Sequence, residues 1–284
     1  MSTGTCPEEN SLHASIYTDI EVLFFHKKIL FSVQHEDGSF GFRNSHPSLT
    51  RRKNIFLYCK KNNSKLSIST VILFPGLGAS EKLFGQFDFG DKKTFVVKFL
   101  VPKNKETIQQ YCQRLAASIP KDEDLIFIGV SFGGILALEV SKIIPAKKII
   151  LISTIKAEHE KPRYFSWVRI FPVYWIIPPS IMKKIAIALG GYFTPKSKEE
   201  QKLFLLLVKE ADSSVIRWGI HQTLHWKQNE IPGNIFHIHG AKDRLFPAKK
   251  IKADVMIEEG SHFMIIQRSV EINALINQLL KDVE

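Results

Sequence analysis

The stretch Asp124-Leu125-Ile126-Phe127-Ile128-Gly129-Val130-Ser131-Phe132-Gly133-Gly134-Ile135-Leu136-Ala137-Leu138-Glu139-Val140 decides how this chain is read. Its opening is a β-branched and aromatic run of the kind that forms a buried strand, and from Ile135 onward the residues form an apolar helical run. The change falls on Gly129-Val130-Ser131-Phe132-Gly133. A serine at so sharp a strand-to-helix turn is held in an unfavourable backbone conformation, and glycines two residues to either side remove side chains that would collide. The hydroxyl is then presented at a helix N-terminus, where main-chain amides can stabilise an oxyanion, that of Phe132 first. A helix-capping serine in a glycine-rich turn would account for the spacing, but not for the context on both sides.

Outward from this turn, short β-branched runs alternate with helix-period stretches. Strands are expected at residues 70–74, 94–99, 124–128, 148–152, 234–238 and 253–257. Between the second and third, Ile108, Tyr111, Cys112, Leu115 and Ala116 fall on one helical face, which makes a strand-helix-strand crossover. The fold class is therefore α/β, a mostly parallel twisted sheet flanked by helices. Two segments depart from the alternation. Residues 1–65 hold strand-like pieces at 21–25, 29–33 and 55–59 around a turn-rich stretch with Asp37-Gly38, and are expected to form an antiparallel edge of the sheet. Residues 155–230 separate two neighbouring strands by far more than the usual connection of about 2 to 6 residues, so they are expected to be an inserted helical cap or lid. Helix starts within it are marked by Pro178-Pro179 before Ser180, by Ser197 with Glu200 three residues on, and by Asp212. The expected organisation is one domain, its core formed by residues 66–154 and 231–284.

Composition excludes several function classes. A 44% hydrophobic share is that of a globular chain, not a disordered or fibrous one. The net charge of +11 is scattered mostly as lysine pairs, and the single triplet Arg51-Arg52-Lys53 has no aromatic-rich basic motif beside it, so nucleic acid is not expected as a partner. Cys6, Cys59 and Cys112 show no C-x-x-C spacing, which argues against a disulfide framework and for a reducing compartment. The first ten residues carry neither a basic nor an apolar targeting region, and no run of 18 uncharged apolar residues follows, so a cytoplasmic location is expected.

Two more loops carry chemistry. Asp243 lies in Ile238-His239-Gly240-Ala241-Lys242-Asp243-Arg244-Leu245-Phe246-Pro247, just beyond the penultimate strand, and His262 lies in Glu258-Glu259-Gly260-Ser261-His262-Phe263, just beyond the last. With Ser131, these residues make the chain resemble the α/β-hydrolases from about residue 70 to 284. The resemblance implies the order serine, acid, histidine, with Ser131 as nucleophile, Asp243 as acid and His262 as base. Glu258 and Glu259 are the competing acids, although they sit on the strand that carries the histidine. A second oxyanion donor is implied after the first core strand, here the amide of Leu77 in Pro75-Gly76-Leu77-Gly78, where many family members have His-Gly. The implied activity is a serine hydrolase without cofactor, cleaving an ester or thioester of an apolar acyl or small carboxylic substrate through an acyl-enzyme. The same resemblance admits acyltransferases, lyases and ligand-binding receptors or scaffolds with little turnover. The substrate and oligomeric state stay open.

Other motifs fail. Gly76-x-Gly78 is followed by Glu81 where a dinucleotide fingerprint wants glycine, and Ile135 stands where a phosphate-binding loop needs lysine. His221 and His225 are four apart on an expected helix, but Gln222 replaces the glutamate of a zinc hydrolase and no third ligand is evident, so no metal is expected. Residues 164–177 are too apolar for a free surface loop. Packing of the insertion on the core is the favoured reading, and a lid facing substrate or a membrane surface is the other. Trp167, Trp175 and Trp218 are the candidate substrate contacts.

Overall fold

The computed structural model describes residues 20–25, 28–34, 40–42, 69–121, 124–178, 181–185, 187–188 and 198–281. The chain divides into two compact units, Met1–Leu66 and Ser67–Glu284.

In the first unit, β1 (Ile20–Phe25), β2 (Lys28–Gln34) and β3 (Phe40–Phe42) pair antiparallel in the order β1-β2-β3. Among the described residues, these strands bond to one another. Residues 20–25 pair with 28–33 through a very short connection, and so local a closure costs little entropy. The expected strand at 55–59 and the Asp37-Gly38 turn lie outside the described residues.

The second unit is built on β4 (Thr70–Phe74), β5 (Lys93–Val96), α1 (Ile108–Ala116), β6 (Leu125–Val130), α2 (Phe132–Ser141) and β7 (Lys148–Ile152). Then come α3 (Tyr164–Ile170), α4 (Lys198–Glu210), α5 (Ser213–His225), β8 (Ile235–Gly240), β9 (Val255–Ile257), α6 (Met264–Gln267) and α7 (Ser269–Lys281). Six strands form one all-parallel sheet in the order β5-β4-β6-β7-β8-β9. Strands covered on both faces read as continuous apolar runs, and every residue of β4 and β6 is buried. Alternate side chains face opposite layers. Ile72, Phe74, Phe127 and Leu151 pack with α1 and α2, while Val71, Ile126, Ile150 and Ile152 pack with Ile272, Ile276 and Leu279 of α7. β5 is shorter than expected because it is an edge strand whose register on β4 runs out at Leu73↔Val96.

α1 begins with a capping box between Thr107 and Gln110, and its five expected apolar residues are all buried. α2 is buried around its whole circumference, including Glu139, which accepts hydrogen bonds from Trp226 Nε1 at 2.8 Å and Lys142 Nζ at 2.6 Å. Residues 155–230 contain α3, α4 and α5 between β7 and β8. Asp212 caps α5 through the Ser214 amide, as its position suggests, whereas Pro179, Ser180 and Ser197 lie outside the described residues.

Trp218 of α5 fastens this insertion to the core. Its ring lies 4.2 Å from that of Tyr111 and 6.0 Å from that of Phe132, and its Nε1 donates to the Glu106 carbonyl at 2.9 Å. Trp218→Ala is therefore expected to cost about 3 to 5 kcal/mol of unfolding free energy, as for large aromatic truncations in packed interiors. Urea unfolding followed by circular dichroism measures it, and a loss within error of zero would show that the insertion is not anchored there.

Candidate active site

Ser131 stands between β6 and α2 at φ 53°, ψ −122°, a conformation that side-chain-bearing residues rarely adopt. Such strain costs on the order of 1–3 kcal/mol and persists only where the surroundings impose it. Here they do. The Ser131 amide donates to the Ile152 carbonyl at 2.9 Å, and its carbonyl accepts from the Gly134 amide at 2.9 Å and from Thr154 Oγ1 at 2.7 Å. A Cβ on Gly133 would lie 2.1 Å from the Phe74 carbonyl oxygen, so only glycine lets α2 begin hard against the end of β4. The β4 loop comes close as well: a Cβ on Gly76 would stand 3.5 Å from that of Ser131.

Asp243 and His262 follow β8 and β9, which are hydrogen-bonded neighbours up to Gly240↔Ile257. Their loops touch directly. A Cβ on Gly240 would meet the Gly260 carbonyl at 2.3 Å, and the Lys242 amide donates to that carbonyl at 2.8 Å. As a result His262 Nδ1 lies 2.9 Å from Asp243 Oδ2, and its Nε2 lies 3.0 Å from Ser131 Oγ. Asp243 Oδ1 accepts from the amides of Leu245 and Phe246, each at 2.8 Å. Burial of Asp243 works to raise its carboxyl, but the charge and hydrogen bond of His262, the Phe246 amide and nearby His239 outweigh it and hold it below its usual value. An ionised carboxylate only accepts, so the proton of a neutral His262 sits on Nδ1 and Nε2 is left to accept from the Ser131 hydroxyl. Glu258 and Glu259 are exposed, and Glu259 pairs with Lys242, so Asp243 is the carboxylate at His262.

Ser131 and His262 open on a cavity of about 560 Å³. Leu77 and Phe132 line it, as do Phe165, Val168, Ile216 and Ile220 of the insertion, and among the described residues no Asp, Glu, Lys or Arg does.

The sequence matches no protein-family model and no curated protein. Solved structures do match. An esterase from Exiguobacterium antarcticum has a TM-score of 0.57 at 17% identity over 75% of this chain and 92% of its own. A type II thioesterase from the yersiniabactin NRPS/PKS biosynthetic pathway has a TM-score of 0.51 at 16% identity over 78% and 96%. A protein described as a putative non-heme bromoperoxidase from Mycobacterium tuberculosis H37Rv has a TM-score of 0.56 at 13% identity over 76% and 93%. The chain has the α/β-hydrolase fold.

Within that fold, none of the three tryptophans Trp167, Trp175 and Trp218 lines the cavity. Helix phase explains two of the three. On α3, Phe165 and Val168 are three apart and face the cavity, which turns Trp167 to the outside. On α5, Ile216 and Ile220 are four apart and face it, which turns Trp218 onto Tyr111. Trp175 is exposed, its ring against His221, while Tyr174 beside it lines the cavity.

His221 and His225 share a face of α5, but His221 Nδ1 lies 2.9 Å from the Tyr174 hydroxyl and His225 Nδ1 donates to the His221 carbonyl. Among the described residues, no group of three or more His, Cys, Asp or Glu could hold a metal. Cys112 is buried on α1, and burial pushes its thiol up; Cys6 and Cys59 lie outside the described residues.

Sequence reasoning missed Thr154, whose hydroxyl holds the Ser131 carbonyl; its place two residues past β7, beside the serine turn, was the available signal. It also missed His239. This residue donates from Nε2 to the Phe246 carbonyl at 2.9 Å with the same nitrogen 3.6 Å from Asp243 Oδ2, and it backs the acid loop from within β8.

The depressed Asp243 carboxyl fixes the sign of a pH effect. A group whose folded-state value lies below its unfolded value of about 4 contributes stability above that value and loses it as pH falls through the folded-state value. The stability gap between the parent and Asp243→Asn is therefore expected to narrow as pH drops below about 4. Urea midpoints across that range measure it; a gap that widens on acidification would mean that Asp243 is not held ionised.

Proposed function

We propose that this protein is a serine hydrolase that cleaves an ester or thioester of an apolar acyl or small carboxylic substrate through an acyl-enzyme. One observation carries the reading: a continuous chain of hydrogen-bonding contacts from Ser131 through His262 to Asp243 at the wall of an uncharged cavity. Ser131 Oγ attacks the carbonyl carbon while His262 Nε2 takes its proton, then returns that proton to the departing alcohol or thiol. Asp243 keeps the imidazole proton on Nδ1 and stabilises the imidazolium that forms. The amides of Leu77 and Phe132 receive the oxyanion; Phe132 opens α2, where main-chain donors have no partner in the preceding turn. Water, activated by His262, then releases the acid.

The cavity supports an apolar acyl group, because a charged one would be desolvated there without a partner. Residues 155–230 act as a cap that selects the acyl group, through Phe165, Val168, Ile216 and Ile220. The esterase and the thioesterase that share the fold support ester and thioester substrates. No cofactor takes part in this chemistry.

Hydrolysis of a p-nitrophenyl ester series tests the assignment. Ser131→Ala is expected to lower turnover on the order of 10⁶-fold with the fold retained. Asp243→Asn is expected to lower it roughly 10⁴-fold because the amide favours the wrong imidazole tautomer. Glu258→Gln and Glu259→Gln are expected to stay within about tenfold of the parent, since neither group reaches His262. Parent-like turnover in Ser131→Ala would overturn the mechanism, and a large loss confined to a glutamate variant would overturn the choice of acid.

A further inference from the structure

We propose that the outer face of residues 163–178 and 181–185 docks on an anionic lipid surface. Its first support is exposure. Trp167, Ile170, Phe171, Trp175 and Ile176 are between 49% and 80% exposed, and Ile181 and Ile185 continue the series. Soluble proteins seldom leave so many large apolar side chains together in water, and such a patch marks an interaction surface. On α3 the positions 167 and 170 share one side, opposite Phe165 and Val168, so the helix is apolar on both faces and only one of them is used by the cavity.

Charge identifies the occupant. Residues 161–198 contain no Asp or Glu, while Arg163, Arg169 and Lys184 are exposed among the apolar groups. Basic side chains around exposed Trp, Phe and Ile match a surface with anionic headgroups over an apolar layer, and indole rings favour that boundary. A second copy of this chain fits less well, because a two-fold interface would set these arginines and lysine against their own equivalents. The contact is superficial: among the described residues, no helix is long and apolar enough to cross a membrane. The same segment lines the cavity from its inner side through Tyr164, Phe165, Val168 and Tyr174, so docking would bring the cavity wall against the lipid.

Flotation with vesicles of phosphatidylcholine, alone and mixed with phosphatidylserine, tests this without any measure of hydrolysis, so it stands or falls apart from the proposed chemistry. The full chain is expected to float with the mixed vesicles, to be released by salt, and to show a blue shift of the exposed Trp167 and Trp175. Neutralising three charges together, R163Q, R169Q and K184Q, is expected to reduce partitioning on the order of 100-fold, a factor of about five for each basic residue at such a surface. The pair I170S and I176S is expected to abolish the blue shift and flotation with an unchanged thermal midpoint. No binding to mixed vesicles, binding unaltered by both sets of substitutions, or a dimer that I170S and I176S dissociate while vesicles are ignored would each overturn the proposal.

Discussion

Ser131 occupies a backbone conformation that no unconstrained serine would choose, and most of the architecture around it serves to impose that conformation. The strand before it is buried along its whole length and the helix after it is buried on every side. Neither can move to relieve the turn without exposing apolar surface, at roughly 25 cal/mol per Å². Strain of a few kcal/mol is small beside the burial of β6 and α2 together, so the turn is held. Glycine at 133 is the condition for this, since any side chain there would strike the main chain of β4.

Parallel topology supplies the rest of the site. In a parallel sheet every strand ends at the same edge, so the loops after β4, β6, β8 and β9 meet there although they are far apart in sequence. Adjacency of β8 and β9, tightened where Gly240 meets Gly260, sets Asp243 within reach of His262. The insertion after β7 then covers this edge with helices whose inward side chains are apolar, so Ser131 and His262 face a cavity without fixed charge.

How much of this could be read in the sequence follows from the range of the forces involved. The six core strands were legible because strands buried on both faces are continuous apolar runs, and α1 because its apolar face repeats cleanly from Ile108 to Ala116. Ser131, Asp243 and His262 were legible because each sits just past a recognisable strand. The cavity wall was not. In residues 164–177 apolar side chains occupy both sides of α3, so composition gives no phase, and Trp167 was as plausible a wall residue as Phe165. Strand pairing in residues 20–42 was equally hidden, because the residues of a strand do not name its partner.

The central claim is that His262 activates a strained Ser131. Covalent labelling by a fluorophosphonate, with the modified residue located by mass spectrometry, reads both parts at once. Stoichiometric phosphonylation of Ser131 in the parent, slowed by several orders of magnitude in His262→Ala, is the expected result. Failure to label Ser131, or equal labelling rates in the parent and His262→Ala, would contradict it.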